Sequence, residues 1–548
     1  MSTPAPEITV FTKSGGPLTK HIRIAEDGSI VSDGSACTMQ HGRARRVKVN
    51  GIADLAALVE RLDSNQALAL GALRADLPED VEIVTKHKLN GHPRPDVIAR
   101  TGDDILYRKG RPAFALLDYD TKGMPPDIAA RIAALGGFGK ALATVMPDLS
   151  TTARMIRRST SAGLMRTDTG AQLPGSNGLH GYVAVGDGAN IERFLKTLHA
   201  RCWLHGLGWL MVGVAGQLLD RSIVDRRVGA SERLVFEGPP KLKPPLAQDP
   251  ASRRPIMVKG GVLDTIAACP PLTLVERERL RKLQAEASQR LLPERNAARE
   301  AFVAHQTKRM IERTGLSQEA AARVIERQCA GILLPNIELA FTDPELQGLT
   351  VADVLADPAR FDGAALADPI EGVEYGRSTA KIMRRADGTP WIHSFAHGRT
   401  VYELKFDLAA ARAIIEKAPN PAAAFVKLAL TADLDEIELD QLLHEVAGRA
   451  GVGVRVLAAK LKAARQQRDK RQRQEDRERR LAERNDPRPS IPAPAMDAPW
   501  LPQAATIHEV VMEADGPRRP RQDIDDGFAL KRKYSVPDTH AFTSQQEE

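Results

Sequence analysis

Apolar residues along the chain recur at two different spacings, and the change from one to the other divides it. In the first hundred residues, short apolar or alternating runs over 7–11, 21–25 and 45–49 predict strands. Turn formers such as Glu26-Asp27-Gly28 punctuate them. Leu55, Leu58, Val59 and Leu62 recur at helical spacing and predict one helix over 52–62. From Pro112 the pattern becomes an alternation of strand and helix. Residues 113–117 are a wholly apolar run, as a buried strand requires, and 127–145 reads as helix interrupted by Gly136-Gly137-Phe138-Gly139. A second strand is predicted over 181–185. Asp187 then caps a helix whose apolar face is Ile191, Phe194, Leu195, Leu198 and Cys202. A further apolar run, 209–214, leads to Leu218-Leu219-Asp220, and 231–237 reads as a strand.

Beyond residue 262 helical spacing dominates. These patterns divide the chain into an N-terminal α/β module (1–110), a second α/β module (111–262) and a helical region (272–344). A small α+β domain (345–415), a basic helical region (420–485) and a mostly disordered tail (486–548) follow. The helical region is dense in Arg and Glu at salt-bridging intervals, which a solvated surface explains. The tail is rich in proline and charge without periodicity, the composition of a segment that buries little.

Composition narrows the class. With 548 residues, 43% hydrophobic and 27% charged, the chain has the balance of a globular protein of several units. A net charge of +7 with clustered arginines suits a polyanionic partner. Cys37, Cys202, Cys269 and Cys329 form no CxxC pair, so neither a zinc knuckle nor a disulfide framework is expected. No run approaches the ~18 apolar residues of a membrane span, and no basic-then-apolar leader opens the chain. A cytoplasmic protein without a membrane partner is expected.

The chemistry concentrates where the first apolar run of the second module ends. Asp118 and Asp120 follow it at i and i+2, so a strand presents both carboxylates on one face while Tyr119 points away. Such a pair suits a hard cation, Mg²⁺ or Mn²⁺, that keeps waters for substrate phosphates. The same pattern occurs in nucleotide-sugar glycosyltransferases, or simply ends a strand. Two later segments weigh against those readings. Ser176-Asn177-Gly178-Leu179-His180 is a small-residue turn that delivers a histidine into a strand. Asp220 follows an apolar run and can complete a carboxylate cluster, with Asp225 as a rival better read as a turn residue. Arg233, entering the next strand, can clamp a triphosphate.

This order of motifs, covering roughly 100–240, resembles the archaeo-eukaryotic primase superfamily, in particular bifunctional primase-polymerases of phages, plasmids and integrated elements. The resemblance implies an α/β (α+β) primase catalytic core, with an N-terminal module joined to an RRM-like catalytic module. It further implies that Asp118, Asp120 and Asp220 hold the metals and that His180 and Arg233 contact the incoming nucleotide, with Ser176 as the serine of the phosphate turn. Here the sequence departs from the pattern: Gly178 stands two residues before the histidine, and Ser159-Thr160-Ser161 is a second candidate turn. The expected activity is metal-dependent nucleotidyl transfer that makes or extends primers on single-stranded DNA from nucleoside triphosphates. The alternative is a replication initiator that binds nucleic acid with an inactive core of this type.

The segment Trp391-Ile392-His393-Ser394-Phe395-Ala396-His397-Gly398 also resembles a segment of phage-borne primase-helicase proteins. His393 and His397 are spaced i, i+4, which does not converge on a metal from a strand and turn. Trp391, Phe395 and Tyr402, if exposed beside Arg384, Arg385 and Arg399, can stack on template bases; the alternative is a small core with basic edges. No GxxxxGK[ST] motif is present, so any helicase is expected to be a separate partner. The stretch 462–484, rich in Arg and Gln, reads as a solvated basic helix that can also track phosphates.

Overall fold

In the computed structural model the described residues are 5–89, 94–173, 177–385, 387–396 and 400–485. The protein is a mixed α/β molecule, about 42% helix and 23% strand. The described residues up to 461 make one compact unit, and those from 462 onward belong to a second.

The N-terminal region builds a five-stranded sheet from β1 (Glu7–Lys13), β2 (Gly42–Lys48), β3 (Gln66–Ala69), β4 (Asp80–Val84) and β5 (Val97–Ala99), in the order β3-β1-β2-β4-β5. Helix α1 (Ile52–Glu60) lies between β2 and β3 in the chain, and its Ile52, Leu55, Ala56 and Val59 are buried, as the spacing predicts. The expected strand at 21–25 forms as His21–Ile24, in a separate small sheet.

The second sheet carries the chemistry. It consists of β6 (Ala113–Tyr119), β7 (Arg154–Arg158), β8 (Leu179–Val185) and β9 (Ile256–Val258), all antiparallel, in the order β6-β8-β7-β9. Ala113 to Leu117 are buried without alternation because the strand is covered on both faces. The glycine pair Gly136-Gly137, both at positive φ, splits the helix expected over 127–145 into α2 (Pro126–Ala134) and α3 (Phe138–Val145). Helix α4 (Ile191–Leu204) buries Ile191, Phe194, Leu195, Leu198 and Cys202, the expected face. Asp187 caps the short 3₁₀ turn that leads into it, its side chain accepting from the Ala189 N–H. A hairpin of β10 (Gly208–Val212) and β11 (Leu218–Ser222) follows.

One expectation is corrected. Residues 231–237 do not form a strand; only Val235 bridges to Leu68, so Arg233 sits on irregular backbone. The N-terminal sheet keeps a cluster of its own around Phe11, Leu18, Val81 and Ile83, and its other face packs on the second module. Ile8, Val10, Ile52 and Leu55 share one hydrophobic cluster with Phe114, Leu116, Phe194 and Leu198. Burial of each such side chain contributes roughly 1.5–3 kcal/mol, which fuses the two modules mechanically.

Helices α5 (Leu274–Arg290), α6 (Leu292–Thr314) and α7 (Gln318–Ala330) make the helical region. Helix α5 buries no residue, in line with its Arg- and Glu-rich sequence. The small α+β region is a five-stranded sheet of β12 (Ile332–Leu333), β13 (Ala365–Leu366), β14 (Ala380–Arg384), β15 (Pro390–Ser394) and β16 (Val401–Leu404), ordered β12-β16-β15-β14-β13. Helices α8 (Leu408–Lys417), α9 (Pro421–Thr431), α10 (Glu436–Ala450) and α11 (Val454–Asn485) close the described chain. The expected disordered tail, 486–548, lies outside the described residues. No single helix among the described residues is long and apolar enough to cross a membrane.

Candidate functional site

The sheet register sets the site. Asp118 on β6 lies directly opposite His180 on β8, and His180 directly opposite Arg157 on β7. Residues paired this way present their side chains on the same face, so a carboxylate, an imidazole and a guanidinium form one row across three strands. His180 Nε2 lies 3.8 Å from Asp118 Oδ1.

The other side of the imidazole is fixed more tightly. His180 Nδ1 is 2.6 Å from Glu237 Oε1, which also accepts the Tyr182 hydroxyl at 2.6 Å. Arg157 Nη1 donates to Glu237 Oε2 at 2.5 Å and to its carbonyl at 2.8 Å, and Arg253 Nη2 donates to the same carbonyl at 3.1 Å. Glu237 is fully buried. Burial alone would raise its carboxyl, but His180, Arg157 and Tyr182 overcome that penalty and hold it at about 2. The His180 imidazole is shifted the other way: burial opposes its charge, and Glu237 and Asp118 together raise it above its ordinary value. Glu237 was not among the expected site residues. Its one signal in the sequence is an acid ending the apolar run Leu234-Val235-Phe236.

The carboxylates gather on the other side of Asp118. Asp118, Asp120, Asp220 and Asp225 line one small cavity together with Lys122, His199 and Arg226. Burial pushes the Asp118 carboxyl above its ordinary range; Asp225 and Asp120 push it further, while His180 and Arg233 pull it back. Asp120 follows the end of β6 and accepts the Lys122 N–H at 2.9 Å, closing a turn. Tyr119 points away, as expected, and stacks on Phe138 at 4.6 Å.

Asp220 and Asp225 differ in kind. Asp220 Oδ1 accepts from His199 Nε2 at 3.0 Å and Trp203 Nε1 at 2.8 Å, and Oδ2 accepts from Arg226 at 2.8 Å. Burial would raise this carboxyl, yet these partners hold it below its ordinary value. Both of its oxygens are therefore engaged by protein. Asp225 does cap a turn, accepting the Arg227 N–H at 2.8 Å, but its own N–H donates to the Asp118 carbonyl at 3.1 Å. That bond ties Asp225 to the Asp118 strand, and its charge acts on Asp118 directly.

The donor chemistry of Asp118 and Asp120, hard oxygens at a partly open cavity, fits a magnesium-type ion that needs only one or two carboxylates plus water and phosphate. Among the described residues no group of three or more His, Cys, Asp or Glu side chains is arranged to hold a metal by itself.

Of the remaining expected residues, Arg233 is half-buried, and its charge acts on Asp118. Ser176 lies outside the described residues. Ser159 sits beside the histidine strand, its N–H donating to the Gly178 carbonyl at 3.0 Å, and its Oγ is 3.5 Å from Ser161 Oγ. The turn 159–161, fifteen residues upstream in sequence, is thus adjacent in space. Lys20, not expected at the site, carries charge that acts on His180.

The 391–398 segment forms strand β15 and its exit. Tyr402 is 1% exposed, which fits the small-core reading of this segment and not base stacking. Its hydroxyl donates to Asp368, which is also bonded by Ser394 Oγ at 2.5 Å, so both belong to a buried polar core. Trp391 and His393 are half-buried and Phe395 is 43% exposed. His397 and Arg399 lie outside the described residues.

No protein-family model, no curated protein and no solved structure matches this chain.

Proposed function

We propose that this protein is a metal-dependent nucleotidyltransferase of the primase-polymerase kind, with the segments around Asp118 and His180 as its RRM-like catalytic module. Its expected role is to make or extend primers on single-stranded DNA for a phage, plasmid or integrated element. The observation that carries the reading is the cross-strand row Asp118–His180–Arg157, with Asp120, Asp225 and Arg233 around its acidic end. A clustering of carboxylates that raises one of them, beside an imidazole and a lysine, is the electrostatics of a phosphate-and-cation site.

Asp118 and Asp120 would hold Mg²⁺ or Mn²⁺, which when bound supplies charge neutralisation at the phosphates and acidifies the attacking 3′ hydroxyl. The chain's own residues do the rest. Arg233 and Lys122 offset the negative charge of the triphosphate. His180, held at Nδ1–H by Glu237 and favoured in its charged form by Glu237 and Asp118, presents Nε2–H as a fixed donor toward a phosphate oxygen beside Asp118. The buried Arg157 and Arg253 keep Glu237 ionised, so it holds the Nδ1 proton and favours the imidazolium whose second N–H faces the ligand.

The test is primer synthesis and extension on single-stranded DNA, with ribo- and deoxyribonucleotides and with each metal. Asp118→Asn and Asp120→Asn should remove activity while leaving thermal unfolding unchanged. Full activity in either variant overturns the assignment.

One observation favours the second reading, a nucleic-acid-binding replication initiator without catalysis. Asp220 is saturated by His199, Trp203 and Arg226, leaving the third expected carboxylate engaged elsewhere. That reading requires template binding indifferent to Mg²⁺ and to both aspartates, together with no synthesis under any metal.

A further inference from the structure

Where β14 and β15 approach the site, aromatic and cationic side chains collect on one surface. Trp391, His393 and Phe395 alternate along β15 and its exit, so all fall on one face. Their rings form a continuous edge-to-face ladder, with centroids 5.7 Å apart for the first pair and 4.8 Å for the second. Lys381 on β14 pairs in register with His393, and its Nζ lies 6.0 Å from the Phe395 ring centroid.

The ladder is physically joined to the acidic site. Arg227 Nη1 donates to the Phe395 carbonyl at 2.7 Å and to that of Ala396. Arg227 follows Asp225 by two residues, and Asp225 is bonded to the Asp118 carbonyl. Arg233 acts on both Arg227 and Asp118.

Positive charge is in excess here. Arg100 and Lys86 act on Lys381, and Arg233 acts on both Arg100 and Arg227; the carboxylates opposing them are Glu232 and Asp225. Burial, reinforced by Arg100 and Lys86, brings the Lys381 ammonium down to about 8. Arg100 Nε is buried and makes no hydrogen bond among the described residues, although its Nη1 donates to the Glu232 carbonyl at 3.0 Å. Cations crowded in this way cost folding energy unless an anion joins them.

We propose that this surface binds a single strand of nucleic acid, its phosphates on Lys381, Arg227 and Arg100 and a base stacked on Phe395, leading the strand to Asp118. An inorganic polyphosphate would satisfy the cations but leave Phe395 in water; a strand satisfies both and spans the distance toward Asp118. The identity of that strand as a template rests on the proposed function. The docking itself does not require catalysis.

The experiment is fluorescence anisotropy of a labelled oligothymidylate with the full chain, without divalent metal, over a series of salt concentrations. Phe395→Ala should weaken binding about tenfold, while Phe395→Trp retains it. Lys381→Gln should weaken binding and lower the salt slope by about one. Asp118→Asn should bind at least as tightly as the parent, so loss of synthesis in that variant judges the proposed function and not the docking surface. Unchanged affinity in Phe395→Ala, with the parent's thermal unfolding, overturns the proposal. So does full displacement of the oligonucleotide by tripolyphosphate with no effect of Phe395→Ala, which would mark a phosphate pocket alone.

Discussion

Asp118 and His180 face each other across the β6–β8 ladder with 3.8 Å between carboxylate and imidazole, while Glu237 grips the far side of the ring at 2.6 Å. The closer contact is therefore the supporting one. An imidazole held by a buried carboxylate has its orientation and tautomer fixed, and can wait for a ligand on the open side.

Glu237→Gln tests that support. The amide keeps the shape but removes the charge that Arg157 and Arg253 were buried against. Breaking one partner of a buried ion pair costs about 3–5 kcal/mol, so the midpoint of urea unfolding should fall clearly. In protein still folded, nucleotidyl transfer should drop by about tenfold or more. Because His180 loses the group that raises its affinity for a proton, the pH profile of the residual activity should shift to lower pH. A purely structural role for Glu237 would lower stability and leave that profile where it was.

The same carboxylate makes the fold acid-sensitive. Its folded value of about 2 lies below the ordinary 4.5, so protonation is favoured in the unfolded chain. The stabilisation is complete above pH about 4.5 and is lost as pH falls toward 2, amounting to something on the order of 3 kcal/mol. Chemical unfolding measured between pH 6 and pH 3 should show this loss, and Glu237→Gln should show a smaller one.

Much of this site was legible in the sequence, and the part that was not is long-range. The apolar run before Asp118 and the turn before His180 are local signals, and both strands formed with boundaries close to those expected. Their register is not local; it depends on which strands neighbour each other. Glu237 was hidden for the same reason, since its partners Arg157 and Arg253 lie 80 and 16 residues away. Reading 231–237 as a strand failed because apolar propensity found only one bridging partner, Val235 with Leu68. Tyr402 stayed open between surface and core despite an available cue. Along β16 the alternation Val401, Tyr402, Glu403, Leu404 sets Tyr402 on the same face as the buried Leu404.

The buried position of Tyr402 gives a stability prediction. Asp368 is buried and accepts from Ser394 Oγ at 2.5 Å, from the Tyr402 hydroxyl at 3.1 Å, and from the Ile370 and Glu371 N–H groups at 2.8 Å. Ser394→Ala removes one donor from a buried carboxylate and should cost about 1–3 kcal/mol. Differential scanning calorimetry should record the lowered melting temperature. Oligonucleotide affinity of the folded variant should stay close to that of the parent, because Ser394 faces inward while Phe395 does not.

Asp220 and Asp225 compete for the role of third carboxylate, and the structure distinguishes them by their ties: side chains grip both oxygens of Asp220, while Asp225 is bonded to the Asp118 strand and its charge acts on Asp118. Asp220→Ala strips acceptors from His199 and Trp203, both buried, and should destabilise the fold by roughly 2 kcal/mol. Asp220→Asn keeps an acceptor for those donors, and the Mg²⁺ concentration giving half-maximal synthesis should remain within about twofold of the parent. Asp225→Asn still caps its turn, since asparagine serves that position as well as aspartate, but removes the charge that acts on Asp118. Its half-maximal Mg²⁺ should rise about tenfold or more, with thermal unfolding unchanged. A metal titration of the three purified proteins in the primer-extension assay decides between them. A large shift in Asp220→Asn with none in Asp225→Asn would return the third position to Asp220 and require its contacts with His199 and Arg226 to open when the cation binds.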